Sequence, residues 1–334
     1  MRAEPRATSV RAAGLREIQA PVADALERAS SEMWRIVSVD SEFFRSVNQH
    51  LMLMKGKMLR PTLLLLSSEC QQRAEARAAA YAAVVELIHV ATLVHDDAVD
   101  HSVLRRGMPT INALFTHQVS VIAGDFLYSR AVQELVRLGD LEPLRVFAQA
   151  SNELTLGEMR QLSALDALAF SEADYEFLIR AKTSALFAAS CEVGALCGAE
   201  RFRKALRRYG ELLGMAFQVA DDLLDYTENS EVTGKPTGLD LHEHKVTLPL
   251  IAALRDLTPA ARRSVDELFL TPEPTDKQIA RVVDVVREAG GLEYARRRGE
   301  EFAQQAEEAI TELPESPART ALFDAVAYVM DRRS

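Results

Sequence analysis

The chain has 334 residues, with 39 Lys and Arg against 49 Asp and Glu and a formal net charge of −10. An acidic balance of this size argues against non-specific nucleic-acid binding, which needs a basic surface. Hydrophobic residues make up 48% of the chain, which is ample for a large core, while Gly (15) and Pro (12) are scarce. Because Ala, Leu, Glu and Arg abound, the composition predicts an all-α protein.

Apolar periodicity predicts a succession of helices along most of the chain. Residues 1–13 are expected to fray, and residues 38–58 are expected to form a loop before Pro61. The segment 233–238, with Gly and Pro on both sides of Lys235, predicts a flexible loop. The predicted helices span residues 15–37, 61–70, 75–101, 110–138, 142–166, 172–197, 201–228, 248–255, 259–268, 276–289, 292–313 and 317–332.

The predicted helices are not divided by a fixed-period repeat, a low-complexity tract or a long linker, so we expect one domain over residues 1–334. The first residues lack the apolar segment of a signal peptide, and no window approaches the roughly 18 apolar residues of a membrane span. Cys70, Cys191 and Cys197 lack metal-site spacing and are expected to be buried thiols. These features favour a cytoplasmic protein.

One acidic pattern, Asp-Asp-x-x-Asp, occurs twice, each time near the end of a predicted helix. The six carboxylates belong to Asp96, Asp97, Asp100, Asp221, Asp222 and Asp225. On a helix, spacings of three and four residues place the carboxylates of each copy on one face. Both copies follow strongly apolar runs, and buried charges need partners. Mg²⁺ prefers carboxylate oxygens and is often completed by substrate phosphates, so the pair predicts a diphosphate clamp.

Several simpler interpretations of these residues stay open at this point. A single acidic cluster is usually a solvated helix face, and Arg105 and Arg106 would by default form a solvated turn. In an apolar helix, His89 would ordinarily be a core histidine that bonds a backbone group. His95 and Asp96 would suit the His-Asp pair of a metal-dependent phosphohydrolase, but that interpretation leaves the second acidic motif unexplained.

Seven segments together resemble the trans-isoprenyl diphosphate synthases, or polyprenyl synthetases, and most of all their long-chain octaprenyl and heptaprenyl types. In chain order they are GKMLRP at 56–61, HVATLVHDDAVDHSVLRRGMPT at 89–110, GDFLYSRA at 124–131, GEMRQL at 157–162, KTSALF at 182–187, FQVADDLLDY at 217–226 and GKPTGLDLHEHKVTLPL at 234–250. The likeness covers nearly the whole chain. Two positions depart from the family pattern: Lys55 replaces a usual Gly, and Met58 stands where a basic residue is common.

The resemblance implies an all-α, single-domain isoprenoid-synthase-type bundle of helices around a central cavity. It implies a Mg²⁺-dependent prenyltransferase that condenses isopentenyl diphosphate, head to tail and repeatedly, onto an allylic diphosphate such as farnesyl or geranylgeranyl diphosphate. A homodimer is implied as well, with peripheral membrane contact when a long apolar product leaves.

The resemblance also implies roles for individual residues. Mg²⁺ on the allylic diphosphate would be bound by Asp96, Asp100 and Asp221, with supporting metal-site positions at Asp97, Asp222 and Asp225. Further charge on the allylic diphosphate would come from Arg105, Lys182, Lys235 and Lys245. The isopentenyl diphosphate would be bound by Lys57, Arg60, His89 and Arg106. The catalytic groups beside the carbocation would be Lys182, Thr183 and Gln218, while Asp240 and Lys245 would pair to close the loop that follows Lys235.

The helix that carries the first acidic motif also allows product length to be estimated, because residues below Asp96 would limit how far the growing chain extends. At a rise of about 1.5 Å per residue, Ala91 and Thr92 lie roughly one turn below Asp96, and Ile88 lies about two turns below it. Ala91 and Thr92 are small, and Ile88 is only a partial obstruction. We therefore expect a product longer than geranylgeranyl diphosphate.

Three related functions remain as alternatives. A farnesyl or geranylgeranyl diphosphate synthase would make a shorter product. A non-catalytic subunit of a heteromeric prenyltransferase should have lost carboxylates or cations, whereas all six Asp residues are present. A terpene cyclase ionises similar substrates but needs no isopentenyl site, so the presence of Lys57, Arg60 and Arg106 favours chain elongation.

Overall fold

The computed structural model describes residues 13–53, 56–71, 76–105, 107–162, 167–227 and 238–331. These residues form an all-α protein, which confirms the predicted fold class. Their β-structure is a short antiparallel hairpin that pairs Leu104–Arg105 with Met108–Pro109. The segment expected to fray lies, apart from residue 13, outside the described residues.

The N-terminal half of the described chain follows the predicted order of helices. Its helical elements are Leu15–Gln19, the 3₁₀ turn Ala20–Val22, Ala23–Val37, Glu42–Leu53, Leu59–Ser68, Ala78–Val99, Ile111–Leu114, His117–Leu138 and Leu141–Leu162. The helix predicted over residues 15–37 is interrupted at Pro21, since proline has no amide hydrogen to donate. The loop predicted over residues 38–58 was wrong, because Glu42–Leu53 forms a helix that buries Val47 and Leu51.

The C-terminal half is also helical. Its elements are the 3₁₀ turn Ala167–Ala169, then Glu172–Ile179, the π-helical segment Arg180–Ser184, Ala185–Leu196, the 3₁₀ turn Glu200–Phe202, Arg203–Thr227, Leu239–His242, Leu248–Ala253, Pro259–Leu270, Asp276–Glu288, Gly291–Ala309 and Pro317–Met330. Most bounds agree with the predicted ones within a few residues, which is the ordinary uncertainty of helix ends. The short helix Leu239–His242 was not predicted.

Three helices position the candidate site, and each acidic motif lies at the end of one of them. We call Ala78–Val99 the first Asp helix, Arg203–Thr227 the second Asp helix, and residues 172–196, which include the π-helical segment, the central helix. The central helix packs against Leu59–Ser68 and the second Asp helix. The second Asp helix also packs on Gly291–Ala309, while the first packs on His117–Leu138.

The first Asp helix is a core helix with an unusually apolar sequence. Among the described helices it is the one long and apolar enough to cross a membrane by length and composition, contrary to the expectation that no such window exists. Most of it is buried against the rest of the protein, including Leu87 and Ile88. Its hydrophobicity is therefore accounted for by burial in the protein core.

The three cysteines are free and buried, as predicted. Burial raises the pKa of Cys70 and of Cys191 to about 12, so both thiols stay protonated at neutral pH. A protonated, buried thiol is a poor nucleophile. These cysteines therefore belong to the core.

The central helix approaches Leu59–Ser68 closely at Gly194. A Cβ atom added at Gly194 would lie 2.1 Å from the backbone oxygen of Leu64 and 2.8 Å from Cβ of Ser67. Gly299 also lies within a helix, but the atoms nearest to its added Cβ would be side-chain carbons of Met330 and Val219 at 3.2 Å. Of these two glycines, only Gly194 faces rigid backbone, so only Gly194 of the pair is required for close packing.

We expect Gly194→Ala to lower the free energy of unfolding by about 1–3 kcal/mol, because the added methyl overpacks against backbone. Gly299→Ala is the matched control, since it gains the same helix propensity of about 1 kcal/mol without a backbone clash. Urea denaturation of both variants measures the difference. Equal midpoints for the two variants would contradict the close approach at Gly194.

Candidate active site

The three carboxylates of the first acidic motif differ in burial: Asp97 is buried, Asp100 is exposed and Asp96 is intermediate. Asp97 is 3% exposed, and both of its oxygens accept hydrogen bonds from Nε of Arg105, at 2.8 and 2.9 Å. Arg105 lies in the short hairpin that follows the helix, so this ion pair ties the hairpin to the helix end. Asp100 caps the C-terminus of the first Asp helix and is exposed.

Asp96, the first carboxylate of the motif, is intermediate in exposure between Asp97 and Asp100. Burial raises the pKa of Asp96 to about 6; the ammonium of Lys182 opposes this rise, and the carboxylates of Glu158 and Asp100 add to it. Desolvation disfavours a charged carboxylate, and neighbouring negative charges disfavour it further. An additional cation near Asp96 would therefore favour its ionised form.

The second acidic motif shows the same division. Asp222 is 5% exposed; its Oδ2 accepts a hydrogen bond from the Tyr175 hydroxyl at 2.6 Å and its Oδ1 accepts one from Nε2 of Gln218 at 2.8 Å. Burial raises the pKa of Asp222 well above its ordinary value, and these two hydrogen bonds oppose that rise. Asp221 is exposed. Asp225 accepts hydrogen bonds from the backbone amides of Leu239 and Asp240, at 3.0 and 3.1 Å.

The π-helical segment of the central helix brings the two motifs into one site. Nζ of Lys182 lies 2.6 Å from Oε2 of Glu158 and donates to Oε1 of Gln161 at 3.3 Å, and its charge acts on Asp96. The neighbouring residue, Thr183, donates its hydroxyl hydrogen to Oε1 of Gln218 at 2.7 Å. Two consecutive residues of one helix therefore interact with both halves of the site.

The segment after the second Asp helix adds one more cation and one more carboxylate. Nζ of Lys245 forms an ion pair with Glu243 at 2.6 Å, rather than the expected side-chain pair with Asp240. The backbone amide of Lys245 donates to the backbone oxygen of Asp240 at 2.7 Å. Burial acts to lower the pKa of Lys245, but the negative charges of Glu243, Asp100 and Asp240 have a larger, opposite effect. The pKa of Lys245 therefore lies above its ordinary value. The charge of Lys245 thus acts on Asp100 of the first motif and on Asp240, which follows the second motif.

Asp240 adds to the negative charge of the second motif. Burial raises the pKa of Asp240 to about 7; Asp225, Glu243 and Asp221 add to the rise, and Lys245 opposes it. The site therefore holds several carboxylates that are difficult to ionise together. Lys235, which was predicted to contribute charge here, lies outside the described residues.

Two residues predicted for the isopentenyl site, Lys57 and Arg60, lie against aromatic rings. Nζ of Lys57 donates to the Tyr328 hydroxyl at 3.1 Å. The guanidinium of Arg60 lies 4.6 Å from the ring centroid of Phe187, which is 5.2 Å from that of Phe217. His89 is half-buried on the first Asp helix. Arg106 lies outside the described residues.

The three predicted chain-length residues lie on the first Asp helix below Asp96. Ile88 is 1% exposed and Ala91 is 2% exposed, while Thr92 is half-buried and donates its hydroxyl hydrogen to the backbone oxygen of His89 at 2.8 Å. Ala91 is thus surrounded by protein or by an internal space. A larger side chain at this position would enter that surrounding volume.

The donor atoms at the site suit Mg²⁺ when it is shared with a diphosphate. In the part of the chain that the structure describes, no three His, Cys, Asp or Glu side chains converge closely enough to hold a metal ion by themselves. The carboxylates of Asp96, Asp100 and Asp221 are nevertheless hard oxygen donors, and burial and crowding raise the pKa of Asp96. Mg²⁺ is commonly held by one or two carboxylates, waters and substrate phosphate oxygens, so this arrangement fits the ion.

Several residues of the site had no assigned role in the sequence analysis. Glu158 and Gln161 lie inside the GEMRQL segment, and their position opposite Lys182 is visible only in the fold. Tyr175 had no recognisable signal, because a tyrosine in an apolar helix ordinarily indicates core packing. Glu243 is close in sequence to Lys245, but such spacing alone does not identify an ion pair.

Comparison with known proteins gives consistent matches. Residues 41–286 match the family model described as polyprenyl synthetase. The chain is 38% identical over 318 residues to the all-trans-nonaprenyl-diphosphate synthase (geranyl-diphosphate specific) of Rhodobacter capsulatus, covering 95% of this chain and 97% of that protein. It is 31% identical over 312 residues to heptaprenyl diphosphate synthase component 2 of Bacillus subtilis, covering 93% and 88% respectively.

Solved structures agree with these sequence matches. A decaprenyl diphosphate synthase from Rhodobacter capsulatus superposes with a TM-score of 0.90 at 35% identity, covering 96% of this chain and 99% of that one. A polyprenyl synthase from Caulobacter crescentus, complexed with calcium and isoprenyl diphosphate, superposes with a TM-score of 0.91 at 31% identity. It covers 97% of this chain and 100% of that one.

The division of the first motif leads to a stability prediction. Asp97→Asn should lower the free energy of unfolding by about 1.5–3 kcal/mol, because it breaks a buried, charge-assisted bond to Arg105. Asp100→Asn, in the same motif but exposed, should change it by no more than about 0.5 kcal/mol. Chemical denaturation without substrate measures both values. If Asp100→Asn were the more destabilising change, the assignment of the buried position would be wrong.

Proposed function

The chain belongs to the polyprenyl synthetase family, and on that premise we propose that it is a long-chain all-trans polyprenyl diphosphate synthase. As a prenyltransferase it joins isopentenyl diphosphate, head to tail and repeatedly, to an allylic diphosphate such as farnesyl or geranylgeranyl diphosphate. The long-chain assignment is supported by the names of its relatives, which include nonaprenyl and decaprenyl diphosphate synthases.

The observation that carries the proposal is the junction at Lys182 and Thr183. Lys182 acts on the first acidic motif and Thr183 is linked to the second, so cations and carboxylates surround one position. Such a position suits a diphosphate that leaves as an anion. Preorganised charge of this kind stabilises the negative charge that develops when the allylic carbon–oxygen bond breaks.

We assign the allylic diphosphate to the space between the two Asp helices. Asp96, Asp100 and Asp221 would hold Mg²⁺, which would neutralise the charge that develops on the diphosphate. Asp97, Asp222 and Asp225 would support that metal site through their hydrogen bonds. Charge from the protein itself would come from Arg105, Lys182, Lys235 and Lys245.

We assign the second substrate, isopentenyl diphosphate, to Lys57, Arg60, His89 and Arg106. Arg guanidinium groups suit phosphate oxygens because their donors form a planar fork. The Thr183 hydroxyl oxygen and the Gln218 amide would lie beside the allylic carbocation and direct their dipoles toward it. After the new carbon–carbon bond forms, the released diphosphate would accept the proton that is lost.

We also propose a single polyprenyl synthetase domain over residues 1–334, Mg²⁺ dependence, a cytoplasmic location and a homodimer. Exposed apolar side chains on the neighbouring helices His117–Leu138 and Leu141–Leu162 support a subunit contact there. They include Ile122, Val136, Leu141 and Met159. A contact of this kind would remove apolar surface from water. Peripheral membrane contact would then serve release of the long product.

Incubation of the purified protein with Mg²⁺, labelled isopentenyl diphosphate and farnesyl diphosphate tests the function. We expect a discrete product longer than geranylgeranyl diphosphate. Asp221→Ala should lower turnover by at least about a hundredfold, since a metal-binding carboxylate is lost. Asp256→Ala, which removes an exposed carboxylate outside both motifs, is the matched control.

The result of this assay also decides between the alternatives. A farnesyl or geranylgeranyl product would indicate a short-chain synthase. No incorporation by folded protein with any allylic primer would favour a subunit of a heteromeric enzyme. One relative is named component 2 of a heptaprenyl diphosphate synthase, so this outcome would point to a two-component enzyme. Activity of the protein alone would show that no second subunit is required.

The position of Ala91 on the first Asp helix predicts how product length responds to mutation. Ala91→Phe should shorten the product by one or more isoprene units, because a ring about one turn below Asp96 would obstruct the growing chain. Ala91→Ser keeps a small side chain at the same position and should leave the product length unchanged. Chromatography of the dephosphorylated products measures both. An unchanged length in Ala91→Phe would show that Ala91 does not line the product channel.

A further inference from the structure

We propose that Tyr175 is a positioning residue for the reaction, acting through Asp222 on Gln218 and Thr183. This inference rests on the proposed function. It assigns a role to the buried Tyr175 hydroxyl, which takes no part in the chemistry proposed above. Tyr175 is 2% exposed and lies in the central helix, seven residues before Lys182.

The hydrogen bonds around Asp222 limit what this carboxylate does. Each of its oxygens already accepts a bond, Oδ2 from Tyr175 at 2.6 Å and Oδ1 from Gln218 at 2.8 Å. The side chain is buried, so a lost partner would not be replaced readily by bulk water. Asp222 is therefore arranged as a hydrogen-bond acceptor that fixes its neighbours.

The same bonds determine the orientation of the Gln218 amide. Its NH₂ group donates to Asp222, so its carbonyl oxygen faces Thr183 and accepts the hydroxyl hydrogen at 2.7 Å. An amide can rotate to exchange its donor and acceptor ends, and only its partners select one orientation. A fixed carboxylate at Asp222 selects the orientation in which the Thr183 oxygen keeps its lone pairs available.

That availability matters to the proposed chemistry. Lone pairs on the Thr183 oxygen stabilise positive charge on the allylic carbon, whereas a rotated amide would donate its NH₂ hydrogen to that oxygen. The chain of bonds begins and ends on the central helix, at Tyr175 and Thr183, and passes through two residues of the second Asp helix. Removing the Tyr175 hydroxyl releases one end of the chain.

Tyr209 provides a matched control on the second Asp helix. It is fully buried, and its hydroxyl donates to the backbone oxygen of Leu322 at 2.7 Å. Replacing either tyrosine by phenylalanine deletes one buried hydroxyl and one hydrogen bond. Of these two hydroxyls, the one on Tyr175 bonds to a side chain of an acidic motif, and the one on Tyr209 bonds to backbone.

The experiment compares Tyr175→Phe and Tyr209→Phe in three measurements: steady-state kinetics, thermal unfolding, and calorimetric binding of farnesyl thiodiphosphate with Mg²⁺. This analogue is slow to ionise, so its binding reports the ground state. We expect Tyr175→Phe to lower kcat by about 10- to 100-fold, the size of loss that is typical when an outer hydrogen-bond partner of a site is removed. The KM for isopentenyl diphosphate and the affinity for the analogue should stay within about twofold, because the interaction acts in the transition state. Tyr209→Phe should keep kcat.

A double-mutant cycle tests the route of the effect. In a Gln218→Ala background, Tyr175→Phe should lower kcat by less than about threefold more, since the residue through which it acts is gone. Additive losses would overturn the proposal, as would equal kcat values for the two tyrosine variants. A kcat loss in Tyr175→Phe that is matched by weaker analogue binding and a lower unfolding temperature than in Tyr209→Phe would also overturn it.

The outcomes separate this inference from the proposed function. If the unchanged protein does not elongate any allylic diphosphate, the proposed function itself is wrong. If the unchanged protein is active and Tyr175→Phe is equally active, only the role of Tyr175 is wrong.

Discussion

Crowding of carboxylates at the ends of two apolar helices is the constraint on which the rest of the site depends. Burial raises the pKa of Asp96 to about 6 and that of Asp222 well above its ordinary value. Like charges in a poorly solvated space repel one another. Each motif divides its carboxylates in response: Asp97 and Asp222 are buried and hydrogen-bonded, while other members remain exposed to solvent. Exposed carboxylates remain accessible to metal ions, and buried ones hold the surrounding side chains in place.

The central helix is the element that makes one site from two motifs. Successive residues of a helix point about 100° apart, so Lys182 and Thr183 face different neighbours. Small residues allow the close approach this requires, since a Cβ atom at Gly214 would lie 2.6 Å from Cα of Ser184. Both residues lie in the π-helical segment, a wider turn that is often found at functional sites. The local irregularity, Arg180–Ser184, therefore contains two of the residues proposed to act in catalysis, Lys182 and Thr183.

The sequence alone predicted the features that repeat at short range. Helical periodicity predicted the all-α class and most of the helices, and the spacing within each Asp motif indicated a shared face. It did not separate Asp97 from Asp100, because burial depends on Arg105 and the hairpin that holds it. Nor did it identify Tyr175, which is 47 residues from Asp222. The helix Glu42–Leu53 was missed because Ser46, Asn48 and His50 are weak helix formers, although Val47, Leu51 and Met52 on it are buried. Long-range contacts decide each of these features, and periodicity does not encode them.

On the proposed function, the ion pairs of the site would also explain how it accommodates a highly charged substrate. Lys182 is paired with Glu158 and Lys245 with Glu243, so neither cation is left uncompensated. All four side chains are partly exposed, and such pairs are worth roughly 0–1 kcal/mol. A diphosphate offers each ammonium group a stronger partner with several negative oxygens. Exchange of one anion for another therefore costs little, because each released carboxylate is at least partly hydrated. On the proposed function, these ion pairs would hold the two cations in position for the diphosphate, and the protein would lose little stability when they change partners.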